Sequence, residues 1–209
     1  MVAHFVCILF TGFIIYKADI GSSLFSWHPS LMALACSLFI VQAIMVFNSQ
    51  SSLLMKLSRK TRVLAHRVLS FLGVTCAWLA FLAIYTNKNN NNKAHFTTWH
   101  GLIGFIALLY MTAQSCGGNL LIYTSLLSKT GIKWKDMKMY HATSGFVLYV
   151  LICGTMVLGM FSNWFVKTVT GTSWYACLAC PAILSLVVMQ QVTQNNLPKP
   201  GNRKVEEKK

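Results

Sequence analysis

The sequence has 209 residues, 55% of them hydrophobic, and a formal net charge of +14 from 18 Lys and Arg against 4 Asp and Glu. A charge of that sign suits a nucleic-acid binder, but such a domain keeps a polar surface, and the long apolar runs here leave few residues to build one. The composition excludes a nucleic-acid partner and points to a polytopic membrane protein with lipid as its solvent and its cations in the loops.

The first apolar run covers residues 2–16 and holds His4. About 15 residues at 1.5 Å rise reach roughly 22 Å, short of the ~30 Å hydrocarbon layer. With neither a basic leader nor a small-residue cleavage site it reads as a helix rather than a signal peptide, and His4 reads as interfacial. The second run, residues 23–47, contains Ser26-Trp27-His28-Pro29. Trp27 is an interfacial anchor, and Pro29 is expected in the first helical turn, where its missing N–H costs nothing. A loop over residues 48–61 carries Lys56, Arg59 and Lys60, and the third run, residues 62–85, carries Arg62, His66 and Arg67. An Asn-rich loop over residues 86–94, with Lys88 and Lys93, leads to the fourth run, residues 95–116, with His95 at its rim and His100 just inside. Residues 117–136 are expected to form the longest interior connection. The fifth run, residues 139–161, opens with His141 behind Lys133, Lys135 and Lys138. After a short loop with Lys167, residues 174–192 form the sixth run, and residues 196–209 are a polar tail expected to be disordered.

The expected fold is therefore all-α: six transmembrane helices in one domain over residues 1–195, the four central ones forming a bundle. The seven cysteines lie in apolar runs, where they act as small hydrophobes, so no disulfide framework is expected; Cys177 and Cys180 have Cys-x-x-Cys spacing but no second pair. There is no Asn-x-Ser/Thr sequon. Six spans put both termini on one side. The loops after runs two and four, their helix edges and the tail hold fourteen of the eighteen basic residues, against Lys17, Lys88, Lys93 and Lys167 on the other side. By the positive-inside rule the richer side, and with it both termini, is cytosolic.

Each central run carries one histidine near its start: His28, His66, His100 and His141. Runs two and four begin on the outer side and runs three and five on the inner side, so His28 and His100 share one depth and His66 and His141 the other. The within-pair separations of 72 and 75 residues suggest a repeated two-helix unit. A single boundary histidine is usually interfacial, but four that pair by depth fit a different demand. Two imidazoles facing each other from neighbouring helices can supply both axial ligands of a haem iron, which satisfies a polar nitrogen that lipid does not. Gly104 and Gly145, four residues after His100 and His141, and Gly73, seven after His66, lie on the histidine faces and are expected to leave room for a flat macrocycle; the helix of His28 offers Met32 and Ala35 instead. A zinc site wants three or four converging ligands, and the interiors of these runs hold no acidic residue.

Ser26-Trp27-His28-Pro29, His66 beyond a basic loop, Thr98-Trp99-His100-Gly101 and Tyr140-His141-Ala142-Thr143-Ser144-Gly145 resemble the cytochrome b561 family of six-helix, two-haem membrane proteins, over nearly the whole chain. The resemblance implies two haem b groups in the bundle, held by His28 with His100 on the luminal side and by His66 with His141 on the cytosolic side. It implies a segment ahead of the first helix, where this sequence begins almost inside it. It also implies ascorbate as the cytosolic electron donor, monodehydroascorbate or a ferric chelate as the acceptor, and an endomembrane location such as the endoplasmic reticulum; a homodimer is left open. Six-coordinate iron favours electron transfer over oxygen activation, and no Gly-x-Gly-x-x-Gly fingerprint supplies a nucleotide domain. Arg59, Arg62, Arg67 and Lys138, the cations nearest His66 or His141 in sequence, are candidates for the anionic donor, and His95 for the outer substrate. The competing reading is a non-redox transporter or channel.

Overall fold

The computed structural model describes residues 2–48, 52–122 and 131–196, and these form helices and connections with no strand. Helix α1 spans Val2–Ala18, α2 Leu24–Met45, α3 Arg59–Asn90, α4 Trp99–Leu120 and α5 Trp134–Met160. A short α6, Asn163–Thr168, precedes α7, Thr172–Asn196. Helices α2, α3, α4, α5 and α7 are long and apolar enough to cross a membrane, while α1 has 17 residues. The chain is a multi-pass membrane protein, and large apolar side chains such as Phe71 (68% exposed) and Leu186 (59%) face outward where only hydrocarbon suits them.

Serine or threonine opens four of the helices. The side chains of Ser23, Ser58, Thr98 and Ser162 each accept from a backbone N–H of the first turn, and Ser23 forms a reciprocal capping box with Ser26. Because Ser23 caps α2, Pro29 falls in the second turn rather than the first. Helix ends run further than hydropathy suggests. The Asn-rich stretch expected as a loop continues α3 to Asn90, since no Pro or Gly interrupts it, and the chain turns only where Asn92 adopts φ +50°. Helix α4 runs through Gly117 and Gly118 to Leu120, and α5 starts at Trp134, so the 117–136 connection is shorter than expected at both ends. The 160s loop contains α6. The expected tail lies beyond the described residues, apart from its first residue, Asn196, at the end of α7.

Helices α2, α3, α4 and α5 pack in sequence order into a four-helix bundle, and α1 and α7 close against α2, with α7 also on α5. Lipid provides no hydrophobic drive between helices, so close approach of small residues must supply the contact. Ala35, Ala77 and Ala80 are 0% exposed between α2 and α3, and a Cβ on Gly73 would stand 2.8 Å from Ile40 Cδ1. Mid-bundle, Cys36, Leu108, Met111, Leu148 and Ile152 form an apolar plug. His4 is not interfacial: α1 buries it to 6% exposure, and its Nδ1 lies 2.8 Å from Gln42 Oε1 of α2.

Helix α2 contains a π-helical stretch, Ala33–Phe39, in which Ile40 N–H bonds Ala35 O, five residues back. The widened turn inserts one residue. The hydroxyls of Ser37 (2.5 Å) and Thr11 (3.5 Å) both donate to Ala33 O and also contact each other, holding α1 against the distortion.

Overpacking the α2–α3 seam should cost about 1–3 kcal/mol: Ala77→Leu is expected to lower the melting midpoint in detergent by several degrees, whereas Gly12→Ala, with nothing within 4 Å of the new Cβ, leaves it unchanged.

Candidate functional site

The four bundle histidines meet in the pairs expected from depth. The ring centres of His28 and His100 are 6.1 Å apart and those of His66 and His141 6.2 Å, with interplanar angles of 83° in both. An imidazole nitrogen sits about 2 Å from a first-row metal it ligates and the ring centre ~1 Å beyond, so two rings clamping one iron have centres roughly 6 Å apart. Both pairs fit that spacing. One expectation needs correcting: the rings meet not between neighbouring helices but across the diagonals of the bundle, α2 to α4 and α3 to α5.

Neighbouring helices do something else, which is to hold the rings. The Nδ1–H of His28 donates to Ala80 O of α3 at 3.1 Å, and that of His66 to Ala43 O of α2 at 2.8 Å. In the second hairpin, His100 donates to Thr155 O of α5 at 2.9 Å, while His141 Nδ1 lies 3.1 Å from the Gln114 side-chain amide of α4. A regularity emerges. Ala80, Gln114 and Thr155 each lie fourteen residues after the histidine of their own helix, and Ala43 lies fifteen after His28, the additional residue being the one that the π-helical turn inserts. The α2–α3 and α4–α5 hairpins are therefore two copies of one unit, in which each helix presents a ring at one depth and a partner for its neighbour's ring ~20 Å further along. In His28, His66 and His100, where Nδ1–H is committed to a carbonyl, Nε2 is the nitrogen left for a metal.

Glycines make the seats, but not those picked out by sequence. A Cβ on Gly73 would meet Ile40, on Gly145 the Gln114 amide at 2.9 Å, and on Gly104 the Thr155 methyl at 3.2 Å, so these three admit helices and side chains; only Gly104 also lines a ring-pair cavity. The glycines against the rings are Gly159, whose Cβ would stand 2.9 Å from His100 Cε1, and Gly118, 2.7 Å from His141 Cε1. Each lies eighteen residues after the histidine of its own helix, five full turns, and so on the same face at the other depth. That spacing was available in the sequence as the signal for both.

A largely apolar cavity of ≈ 410 Å³ surrounds the His28/His100 pair and extends to the rim, where Lys88 and His95 line it. His95 stacks on Tyr85 with ring centres 4.2 Å apart, and its Nε2 is 2.7 Å from Asn89 Oδ1. Lys88, rather than Lys93, is the cavity cation, with Nζ donating to Ala94 O at 2.9 Å. At the basic end the four predicted cations are not one cluster. Lys138 Nζ and the Arg59 guanidinium lie 3.9 and 5.7 Å from the ring centre of Trp134, a residue that sequence reasoning missed. Arg67 Nε donates to Asn119 Oδ1 at 3.1 Å, and Arg62 Nε is buried with no hydrogen-bond partner among the described residues.

The family model described as eukaryotic cytochrome b561 matches residues 27–166. The mouse (Mus musculus) "Transmembrane reductase CYB561D2" is 46% identical over 191 residues, which is 91% of this chain and 85% of the mouse protein. The mouse "Probable transmembrane reductase CYB561D1" is 36% identical over 199 residues, 95% of this chain and 86% of that protein. The rice (Oryza sativa subsp. japonica) "Probable ascorbate-specific transmembrane electron transporter 2" is 23% identical over 161 residues, 75% and 64% of the two chains.

Side chains at the two glycine seats should displace the rings. Gly159→Val is expected to lower the haem content of the purified protein by about half while the fold survives, whereas Gly154→Ala, on the same helix with nothing within 4 Å of its Cβ, leaves haem content unchanged in a pyridine hemochromogen assay.

Proposed function

The chain belongs to the cytochrome b561 family, and on that premise we propose that it is an ascorbate-dependent transmembrane oxidoreductase with one haem b held by His28 and His100 and a second by His66 and His141. The observation that carries this reading is the repetition of one imidazole geometry, ring centres at 6.1 and 6.2 Å, at two depths of the same bundle. Bound there, each haem supplies reversible one-electron chemistry with no open coordination position for oxygen. The chain's residues do the rest. Carbonyl oxygens of Ala43, Ala80 and Thr155 fix three of the ring orientations, and the plug around Leu108, Met111 and Ile152 keeps water from the interval between the two sites.

The basic end is the donor side. Arg59 and Lys138 at Trp134 and Arg67 at Asn119 are among the cations nearest His66 and His141 in sequence and give this end of the bundle its positive charge. An anion the size of ascorbate suits that field, and the likeness to the rice "Probable ascorbate-specific transmembrane electron transporter 2" supports the assignment. The positive-inside rule makes this face cytosolic, with both termini on it. At the other face His95 and Lys88 stand at the mouth of the cavity that leads to His28 and His100, positioned to meet monodehydroascorbate or a ferric chelate. Outward electron movement gains about 2.3 kcal/mol per charge per 100 mV of inside-negative potential. Residues 1–195 act as one six-helix domain and residues 196–209 as its cytosolic tail, in the endoplasmic reticulum or another endomembrane.

The test is a reduced-minus-oxidised spectrum of the purified protein with ascorbate. His100→Ala should remove one haem and leave the other reducible by ascorbate supplied to the cytosolic face of sealed vesicles; loss of that reducible haem instead would reverse the two sides. Arg67→Ala and Lys138→Ala should each raise the ascorbate concentration for half-maximal reduction roughly three- to tenfold at unchanged haem content, the size expected for a charge-assisted contact. Half-saturation that ignores both substitutions and added salt would remove the donor assignment.

A further inference from the structure

The cavity around His28 and His100 keeps its polar groups at one end. Deep in it, side chains such as Met32, Leu108 and Ile152 surround the two rings, and Thr155 spends its hydroxyl on Leu151 O. At the outer end the lining changes character. Lys88 comes from the last turn of α3, and Thr98 and Ser162 are the caps of α4 and α6. Among the described residues no Asp or Glu lines the cavity, and Lys88 is its one lysine or arginine. The ammonium is held in place, since Nζ donates to Ala94 O at 2.9 Å while the Lys88 carbonyl accepts from Lys93 N–H at 2.9 Å. Three protons on Nζ leave two for another acceptor. The hydroxyls of Thr98 and Ser162 accept from the backbone N–H groups of Gly101 and Phe165 at 3.2 and 3.3 Å, which leaves the proton of each to donate.

A haem b is an apolar disc with two carboxylates on one edge. An apolar interior suits the disc and not the carboxylates, because a carboxylate taken out of water without a cation or donors is costly. Resting on the two-haem reading above, we propose that Lys88 is a haem-binding residue of the His28/His100 site, its ammonium paired with a haem carboxylate at the cavity mouth and the Thr98 and Ser162 hydroxyls serving as further donors. Such a charge-assisted contact selects which edge of the disc lies at the mouth. It also bears on the potential. A bare carboxylate near the iron favours the oxidised, more positive state, so a cation that neutralises it raises the reduction potential of this site. Lys88 then acts on the acceptor through the carboxylate it holds, and His95 is the group at the mouth that meets the acceptor directly.

The experiment takes the full-length haem-loaded protein in a His66→Ala background, which isolates the His28/His100 couple, and reads two signals: the carboxylate bending band of the haem by resonance Raman and the midpoint by spectroelectrochemical titration. Lys88→Gln should displace the band and lower the couple so that the reduced-to-oxidised ratio at the parent midpoint falls about fivefold, ~40 mV for one electron. Lys88→Arg keeps the charge and should hold that ratio within about twofold. It should still move the band, because the donor to the carboxylate changes, and so keeps the inference testable if Lys88→Gln loses its haem. Lys93→Gln, which alters a cation of the same connection outside the cavity lining, should change neither signal. A band that stays in place in both Lys88 variants, or shifts matched by Lys93→Gln, would overturn the role of Lys88 while leaving the histidine assignment intact. A wild-type protein without haem would overturn both.

Discussion

An imidazole in hydrocarbon needs a partner for each of its nitrogens, and this requirement organises the bundle. A polar group left unsatisfied in the apolar layer costs several kcal/mol, and four rings make that demand at once. One nitrogen of each ring is met by the neighbouring helix of its own hairpin, at Ala43, Ala80, Gln114 or Thr155. Each ring also stands about 6 Å from a ring of the opposite hairpin, the spacing of two imidazoles that share one metal.

This division of labour explains why the hairpin is the unit. The hydrogen bonds to the four rings act within α2–α3 and within α4–α5, and the ring pairs join one hairpin to the other. Small residues then become obligatory where rings or helices approach: Gly118 and Gly159 behind His141 and His100, Ala77 and Ala80 between α2 and α3. Even the π-helical turn of α2 has a place in the scheme. Without its inserted residue Ala43 would fall one position, ~100° of helix, away from the direction of His66.

Much of this was legible in advance. The six apolar runs, the four histidines at two depths, the repeat suggested by separations of 72 and 75 residues, and the skewed charge of the loops all appear in the sequence, because burial in lipid imposes long hydrophobic runs and leaves every ionisable residue conspicuous. Other features were hidden for stated reasons. A backbone carbonyl has no residue type, so Ala43, Ala80 and Thr155 carry no mark as ring partners. Gly73 and Gly145 share a face with their histidines, yet neighbouring helices fill the space beside them. Trp134 lay in a stretch that hydropathy assigned to a loop, and only the earlier start of α5 sets it between Arg59 and Lys138. His4 looked interfacial because it stands near the end of a short run, and α1 buries it against Gln42.

Hydropathy alone sets the class of molecule, the order of its membrane helices and the depths of the four bundle histidines, since these follow from the free energy of moving residues between water and lipid. That the expected pairs meet across a diagonal and not between neighbours was decided only in three dimensions, as was the exchange of a carbonyl for the Gln114 amide behind His141. The reason is geometric. Transfer energy depends on depth along one axis, whereas the direction from which two rings meet depends on rotation about each helix and on the close approach of small residues, and neither can be read from a run of apolar letters.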